Sequence, residues 1–499
     1  MLTATLSAGL AFALYVWTAA PDITWAHQGA DGAELLAAAV SNGVPHPPGY
    51  PLYMWLLQGW LRFSQLGLGH SDLAWRGALL STVCAAVSVG ITVWIAGHLL
   101  QSHPGQWLWA TGAGLAWAIS PLLWSQAVIT EVYALHALLV ALLGWVILVK
   151  GGRFVYLIPI VALGVAHHLT FILLLPAVLY FVWVSRGGTM RQLGYTVGAL
   201  ALGGILGFAF YLRIPLVAAG GVAGPPPVDW GYADNLAGFW WLISGAAYRS
   251  YLFSAPSSTM LSRVASWAYT LTNQYTVVGL GLALIGLNQW DRNKPDLRNL
   301  SLLWVVPISI YAIGYYTRDS DIYLLPVGWM MALWLATGLA DAHNWLQIRW
   351  SARSMPTIAA IVLAMGLLVL GIIRLPMLSL RQDREARQFL DSSIAVLPPN
   401  SIVISREDND TFALWYGAWA SGELLHQTPN VVLINDSLYQ FPWYQRLITA
   451  LYPDVVGNSQ SVAEILAANH GVHPIFFSTE TSLVPAEQLE KVGSLWRYK

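Results

Sequence analysis

Long apolar runs, repeated along nearly the whole chain and broken only by short polar stretches, constrain the fold more than any other feature. They begin near residues 4, 79, 107, 133, 154, 170, 195, 267, 300, 322 and 357. Several are long enough to cross a hydrocarbon core of about 30 Å as helix. Helices that satisfy their own backbone hydrogen bonds, or closed barrels, are the viable spanning structures in lipid. The composition agrees. Charged residues make up 10% of the chain and hydrophobic ones 56%, whereas a water-soluble domain carries about 25% charged residues. The expectation is a mainly α-helical polytopic membrane protein with about eleven transmembrane helices.

Two runs are ambiguous. Residues 4–20 end in Thr18-Ala19-Ala20, which resembles a signal-peptide cleavage site, but no Lys or Arg precedes the run. A retained first helix fits better. Residues 154–164 are short and run into His167-His168, as a half-depth helix would.

The basic residues orient the spans. Counting from an inside N-terminus places Lys150, Arg153, Arg186, Arg191, Arg292, Lys294, Arg298, Arg349 and Arg353 on one side. Arg213, Arg249, Arg263 and Arg318 fall on the other, which the positive-inside rule makes the exterior. The expected location is a bacterial inner or plasma membrane, with a cytoplasmic N-terminus. A net charge of −1 suggests no nucleic-acid partner. The lone Cys84 excludes an intrachain disulfide and any Cys-based metal cluster.

Two outer loops are long, 21–78 and 216–265. The first is expected to hold a short helix, Ala33 to Val40, and an interfacial one from Pro51 to Leu66. The second carries the aromatic stretch from Phe239 to Phe253, placed on the outer surface. Residues 1–373 form the membrane domain. Residues 374–499, richer in charge, read as a small exterior α/β domain with strands at 401–405, 431–435 and 474–478.

The chemistry-bearing residues concentrate on one face. Asp31 and Glu34 have capping-box spacing, or they present two carboxylates on one helical turn. His46-Pro47-Pro48-Gly49-Tyr50-Pro51 is a stiff corner, or a frame that holds His46 or Tyr50 over a site. Glu131 caps the next span or marks a site, since an acid beside hydrocarbon is costly. The pair His167-His168 lies at the same level. Arg213 and Arg318 contradict the charge bias, so each should have a partner: a phosphate, or a carboxylate such as Asp319 or Asp321 beside Arg318. Asp319 and Asp321 could bind a divalent ion, the less favoured reading. Asp408 to Thr411 read as turn and capping residues or as a recognition loop. A transporter would keep its polar groups near mid-membrane. Carboxylates and arginines gathered at a headgroup layer suit chemistry on a lipid phosphate.

Asp31-Gly32-Ala33-Glu34 followed by His46-Pro47-Pro48-Gly49-Tyr50-Pro51 resembles the opening signature of a polytopic GT-C-type glycosyltransferase family that includes the TMEM-type protein O-mannosyltransferases. The resemblance continues through Trp124-Ser125-Gln126, Glu131 to Leu135, Gly164 to Thr170, Asp229-Trp230-Gly231, Asp321-Ile322-Tyr323 with Pro326, and Asp408 to Thr411. Gly32-Ala33 stands where the family pattern has Ser-Gly. The resemblance implies a GT-C fold, a polyprenyl-phosphate sugar donor, action at the outer face, and a hydroxyl acceptor on protein or glycan. It implies Asp31 as the essential acid, supported by Glu34. His46, Tyr50, Glu131, His167, His168, Arg213, Arg318 and Asp321 are then candidate substrate-binding residues. No cofactor or metal is required on this reading. Its rivals are a translocase for lipid-linked sugars and a non-catalytic scaffold that binds envelope polymers.

Overall fold

The computed structural model describes residues 1–220, 224–350 and 355–499. Residues 221–223 of the second loop, and Arg353 of the inner basic cluster, lie outside the described residues. Sixteen helices build the membrane domain. They are α1 (Leu2–Thr18), α2 (Ala30–Val40), α3 (Pro51–Leu68), α4 (Leu73–Leu99), α5 (Gln106–Ala118), α6 (Pro121–Ala127), α7 (Tyr133–Leu148) and α8 (Phe154–His167). There follow α9 (Leu175–Ser185), α10 (Met190–Ala209), α11 (Arg213–Ala218), α12 (Leu236–Ile243), α13 (Met260–Asn293), α14 (Pro295–Gly314), α15 (Leu325–Trp350) and α16 (Met355–Leu378).

Every predicted run is helical, some long and some short. Among the described residues six helices are long and apolar enough to cross a membrane: Leu73–Leu99, Met190–Ala218, Ser257–Asn293, Pro295–Gly314, Ser320–Arg349 and Thr357–Leu378. The other runs are shorter. The 13 residues of α5 reach only roughly 20 Å at 1.5 Å per residue. Within this part of the bundle Trp117 of α5 and Trp124 of α6 are fully buried.

Close backbone contact sets the core of the bundle. Helices α13 and α15 cross where Gly286 and Gly338 face each other. A Cβ on Gly286 would sit 1.9 Å from Trp334 O, and one on Gly338 would sit 1.8 Å from Leu282 O. Small residues allow this approach in membrane helices. Gly286→Val is expected to destabilise the fold by at least about 2 kcal/mol through overpacking, read as a lowered Tm of tryptophan fluorescence in detergent. Helix α13 also breaks at Thr276, whose φ of +64° lies outside the helical region. The carbonyls near this break are taken by an arginine from the last span. Arg374 Nη1 donates to Gln274 O at 3.2 Å and to Ile119 O at 2.8 Å, and Nη2 donates to Asn273 O.

The C-terminal α/β domain follows α16, which ends at Leu378, five residues beyond the expected boundary. Its strands are β1 (Ile402–Ser405), β2 (Val432–Asn435), β3 (Ile475–Phe477), β4 (Leu489–Val492) and β5 (Leu495–Tyr498), in the order β2-β1-β3-β5-β4. The three expected strands form the parallel part, with β1 between β2 and β3. Strands β4 and β5 form an antiparallel hairpin on β3. The hairpin was not anticipated, although Gly493 at φ +61° in a two-residue connection is its sequence signal.

This domain docks on both long loops. Leu380 N donates to Thr18 O at 2.9 Å, and Thr24 Oγ1 donates to Asp383. Arg387 lies 3.7 Å from Asp22 and 2.5 Å from Glu423. On the second loop, Arg446 pairs with Asp234 at 3.0 Å.

Candidate active site

The docked domain and the two loops enclose a cavity of about 710 Å³ above the helix ends. Helix α2 brings Asp31 to its wall. The predicted capping box does not form: Gly29 occupies the N-cap position without a side-chain bond, and Asp31 sits inside the first turn. One turn later Glu34 is fully buried at 0% exposure. It reaches not back to its own helix but across to the proline-rich corner. Glu34 Oε1 accepts the His46 backbone N–H at 2.9 Å, and Oε2 meets His46 Nδ1 at 2.5 Å. The other ring nitrogen, Nε2, lies 3.7 Å from Asp31 Oδ2.

The three residues therefore form one line, Glu34, His46, Asp31, running from the interior to the cavity. Burial alone would push His46 down. The Glu34 and Asp31 carboxylates and the Glu34 hydrogen bond outweigh it and hold His46 up at about 10, so the ring is an imidazolium at neutral pH. Burial raises Asp31 to about 6, with His46 opposing and the Glu34 and Asp319 charges adding. At neutral pH Asp31 is thus an ionised carboxylate and a stronger base than a free aspartate.

The surrounding loop holds this line in place. Tyr50 packs edge-on to the His46 ring at 5.2 Å and takes a positive φ of 38°. Val44 pairs with the second loop, donating to Val228 O at 2.8 Å and accepting from Trp230 N at 3.1 Å. Gly32 lets α2 approach its neighbour, because a Cβ there would lie 2.5 Å from Thr130 O.

The other predicted site residues separate into three groups. Tyr50, His168 and Arg318 line the cavity with Asp31 and His46, and so does Asp319. Glu131 and His167 lie buried outside the cavity lining. Glu131 does not cap α7, whose N-cap residue is Val132, and its Oε2 has no protein partner. His167 Nε2 bonds Val132 O at 2.9 Å. Arg213 and Asp321 are elsewhere. The Arg213 guanidinium is buried against the first loop, donating to Gly43 O at 3.0 Å, so it acts on the loop rather than in the cavity. Asp321 lines a neighbouring cavity of about 360 Å³, into which Arg318 also reaches. Asp319 and Asp321 therefore face different spaces. Among the described residues no group of three or more His, Cys, Asp or Glu side chains could hold a metal ion.

The cavity holds residues that sequence reasoning missed. The stretch placed on the outer surface contributes Tyr248 and Arg249 to the lining instead. Backbone pairing brings Arg249 and Arg318 onto neighbouring segments: Phe253 N donates to Gly314 O, and Tyr316 N to Tyr251 O, both at 2.8 Å. Tyr133, Tyr311, Tyr315 and Tyr323 add an aromatic wall, with Tyr323 edge-on to Tyr311 at 5.1 Å and to Tyr315 at 5.5 Å. Arg318, expected to pair with a neighbouring carboxylate, makes no ion pair among the described residues. Two unpaired guanidinium groups, a wall of phenol rings and an ionised carboxylate can hold an anion, pack against a sugar ring and accept a proton.

Residues 31–190 match the family model "Protein O-mannosyl-transferase TMEM260 N-terminal domain". The chain is similar to the protein O-mannosyl-transferase tmem260 of Dictyostelium discoideum, 23% identical over 55% of this chain and 34% of that protein. It is also similar to TMEM260 of Mus musculus, 35% identical over 23% of this chain and 15% of that protein. The matched part thus spans about a third or less of these curated relatives. Among solved structures, ArnT from Cupriavidus metallidurans bound to undecaprenyl phosphate superposes with a TM-score of 0.62 at 12% identity, covering 99% of this chain and 97% of that one. An oligosaccharyltransferase from Archaeoglobus fulgidus gives 0.55 at 12% identity, over 95% and 68%. The fold is the GT-C fold of ArnT, with a TMEM260-type region near its N-terminus.

Proposed function

We propose that this chain, a GT-C membrane protein with a TMEM260-type N-terminal region, transfers a sugar from a polyprenyl-phosphate donor to a hydroxyl acceptor at the outer membrane face. The observation that carries the reading is the Glu34, His46, Asp31 line, which ends in an ionised carboxylate at the cavity wall. The ArnT neighbour was solved with undecaprenyl phosphate, which supports the donor class. The curated relatives are protein O-mannosyl-transferases, which supports mannose as the sugar and a protein hydroxyl as the acceptor. The charge bias of the loops supports exterior action and a cytoplasmic N-terminus.

In the proposed reaction Asp31 accepts the proton of the acceptor hydroxyl. The freed oxygen attacks the anomeric carbon on the side opposite the lipid phosphate. The bond to the phosphate breaks through an oxocarbenium-like transition state, its electron pair leaves on the phosphate oxygen, and the configuration inverts. Arg249 and Arg318, which line the cavity, would stabilise that charge; the sequence reading offered Arg213 or Arg318, with a histidine. His46 stays protonated and keeps Asp31 ionised. Glu34 and His46 are positioning residues on this scheme.

The direct test supplies the purified chain, in vesicles, with labelled polyprenyl-phosphate mannose and serine- or threonine-containing peptides, and looks for glycosylated peptide. Movement of the lipid-linked sugar across the bilayer without a new glycosidic product would overturn the transferase reading. Replacing Arg318 or Arg249 by Ala is expected to raise the donor KM by about tenfold each, the loss of one charged hydrogen bond. Arg213→Lys is expected to leave the donor KM within about twofold. Initial rates against donor concentration check both.

A further inference from the structure

The exterior domain does more than shield the cavity, because it completes the wall. Helix α17 (Glu385–Val396) precedes β1, and α18 (Asp408–Trp415) follows it. The loop leaving the carboxyl end of a parallel strand is a common ligand-facing position in α/β sheets. Here it places Asp408, Asn409 and Phe412 in the cavity lining. This wall is fixed from the first loop. Trp25 Nε1 donates to Asn409 O at 3.1 Å, and Tyr416 OH donates to Asp72 Oδ2 at 3.2 Å.

Asp408 is placed against its own electrostatic interest. Among the described residues its carboxylate has no hydrogen bond or ion pair. Burial, then the Asp31 charge, push it up to about 6 while His46 opposes them. Its neighbour Asp410, on the same first turn, lies outside the cavity lining. Asp410 can serve the helix dipole from there without repelling Asp31. The cavity's free cations, Arg249 and Arg318, come from other segments, paired with each other through residues 251–253 and 314–316. The α18 wall is therefore the acidic and hydrogen-bond-accepting side left for the second substrate.

We propose that Asp408 is a specificity-determining residue that receives the acceptor segment and selects hydroxyl groups with neutral or cationic neighbours over those with anionic ones. This rests on the transferase reading above. A carboxylate there accepts hydrogen bonds from an acceptor's N–H or ammonium groups and repels acidic side chains close to the reacting hydroxyl.

The test uses the full chain in vesicles with polyprenyl-phosphate mannose and two serine/threonine peptides that differ only in having Lys or Asp beside the acceptor residue. The native chain is expected to favour the Lys peptide by about tenfold in kcat/KM, and Asp408→Asn to reduce that ratio to about twofold. Asp410→Asn, which also removes an acid from the first turn of α18, should keep the native ratio. An unchanged ratio in Asp408→Asn, or an equal change in Asp410→Asn, overturns the assignment. Transfer by the native chain without charge preference overturns this inference alone. No transfer to either peptide overturns the transferase reading and this inference with it.

Discussion

Asp31→Asn is expected to lower kcat by about 10³-fold while donor KM stays within about threefold, because the amide keeps the shape of the side chain but cannot take a proton. The same residue sets the acid limb of the pH profile. Asp31 titrates at about 6, so kcat/KM for the native chain should fall tenfold per pH unit below that value and level off above it. In Asp31→Asn the residual rate should lose that limb. Full transfer by Asp31→Asn would place the base elsewhere. A collapse in expression or Tm would instead report misfolding, which circular dichroism and size-exclusion profiles in detergent separate from a chemical defect.

Glu34→Gln should cost stability as well as activity. It leaves the buried His46 cation without its closest counter-charge, and breaking one half of a buried pair costs about 3–5 kcal/mol. The pH dependence fixes the sign. The folded-state pKa of His46 is raised from 6.5 to about 10, so the pair's stabilisation is fully present below pH 6.5. It is lost as the pH rises through about 10. The native Tm is expected to decline between those values, and the Glu34→Gln Tm to be lower and flatter there. The double variant Glu34→Gln, His46→Gln, which removes both charges, should recover part of the loss. A Glu34→Gln protein with native Tm across this range would show that the pair holds nothing together.

The parts of this arrangement legible in the sequence are those written locally. Apolar runs mark the helices because lipid leaves the backbone few alternatives, and the strands at 402–405, 432–435 and 475–477 carry the β-branched and aromatic residues of buried parallel pairing. Asp31 stood out through its motif. What spacing could not show is that Glu34 answers to His46, twelve residues away across a proline corner. Two carboxylates at i and i+3 have the same spacing whether they cap a helix or face different partners. Arg213 and Arg249 exchanged roles for a similar reason. Both are basic residues on the loop side, and only the pairing of residues 251–253 with 314–316 decides which one meets the cavity. Apolar composition marked each helix but not its length, which runs from 13 residues in α5 to 34 in α13.

The residues that complete the cavity wall, Asp408, Asn409 and Phe412, are encoded after α16. During synthesis every other part of the site is made first, including Asp31, the tyrosine wall and both arginines. Until that stretch is made and packed onto Trp25 and Asp72, the cavity lacks its α18 wall. A nascent chain, or one truncated before α17, would therefore display a half-built pocket. In order of synthesis, the α18 wall is thus the last part of this cavity to be made.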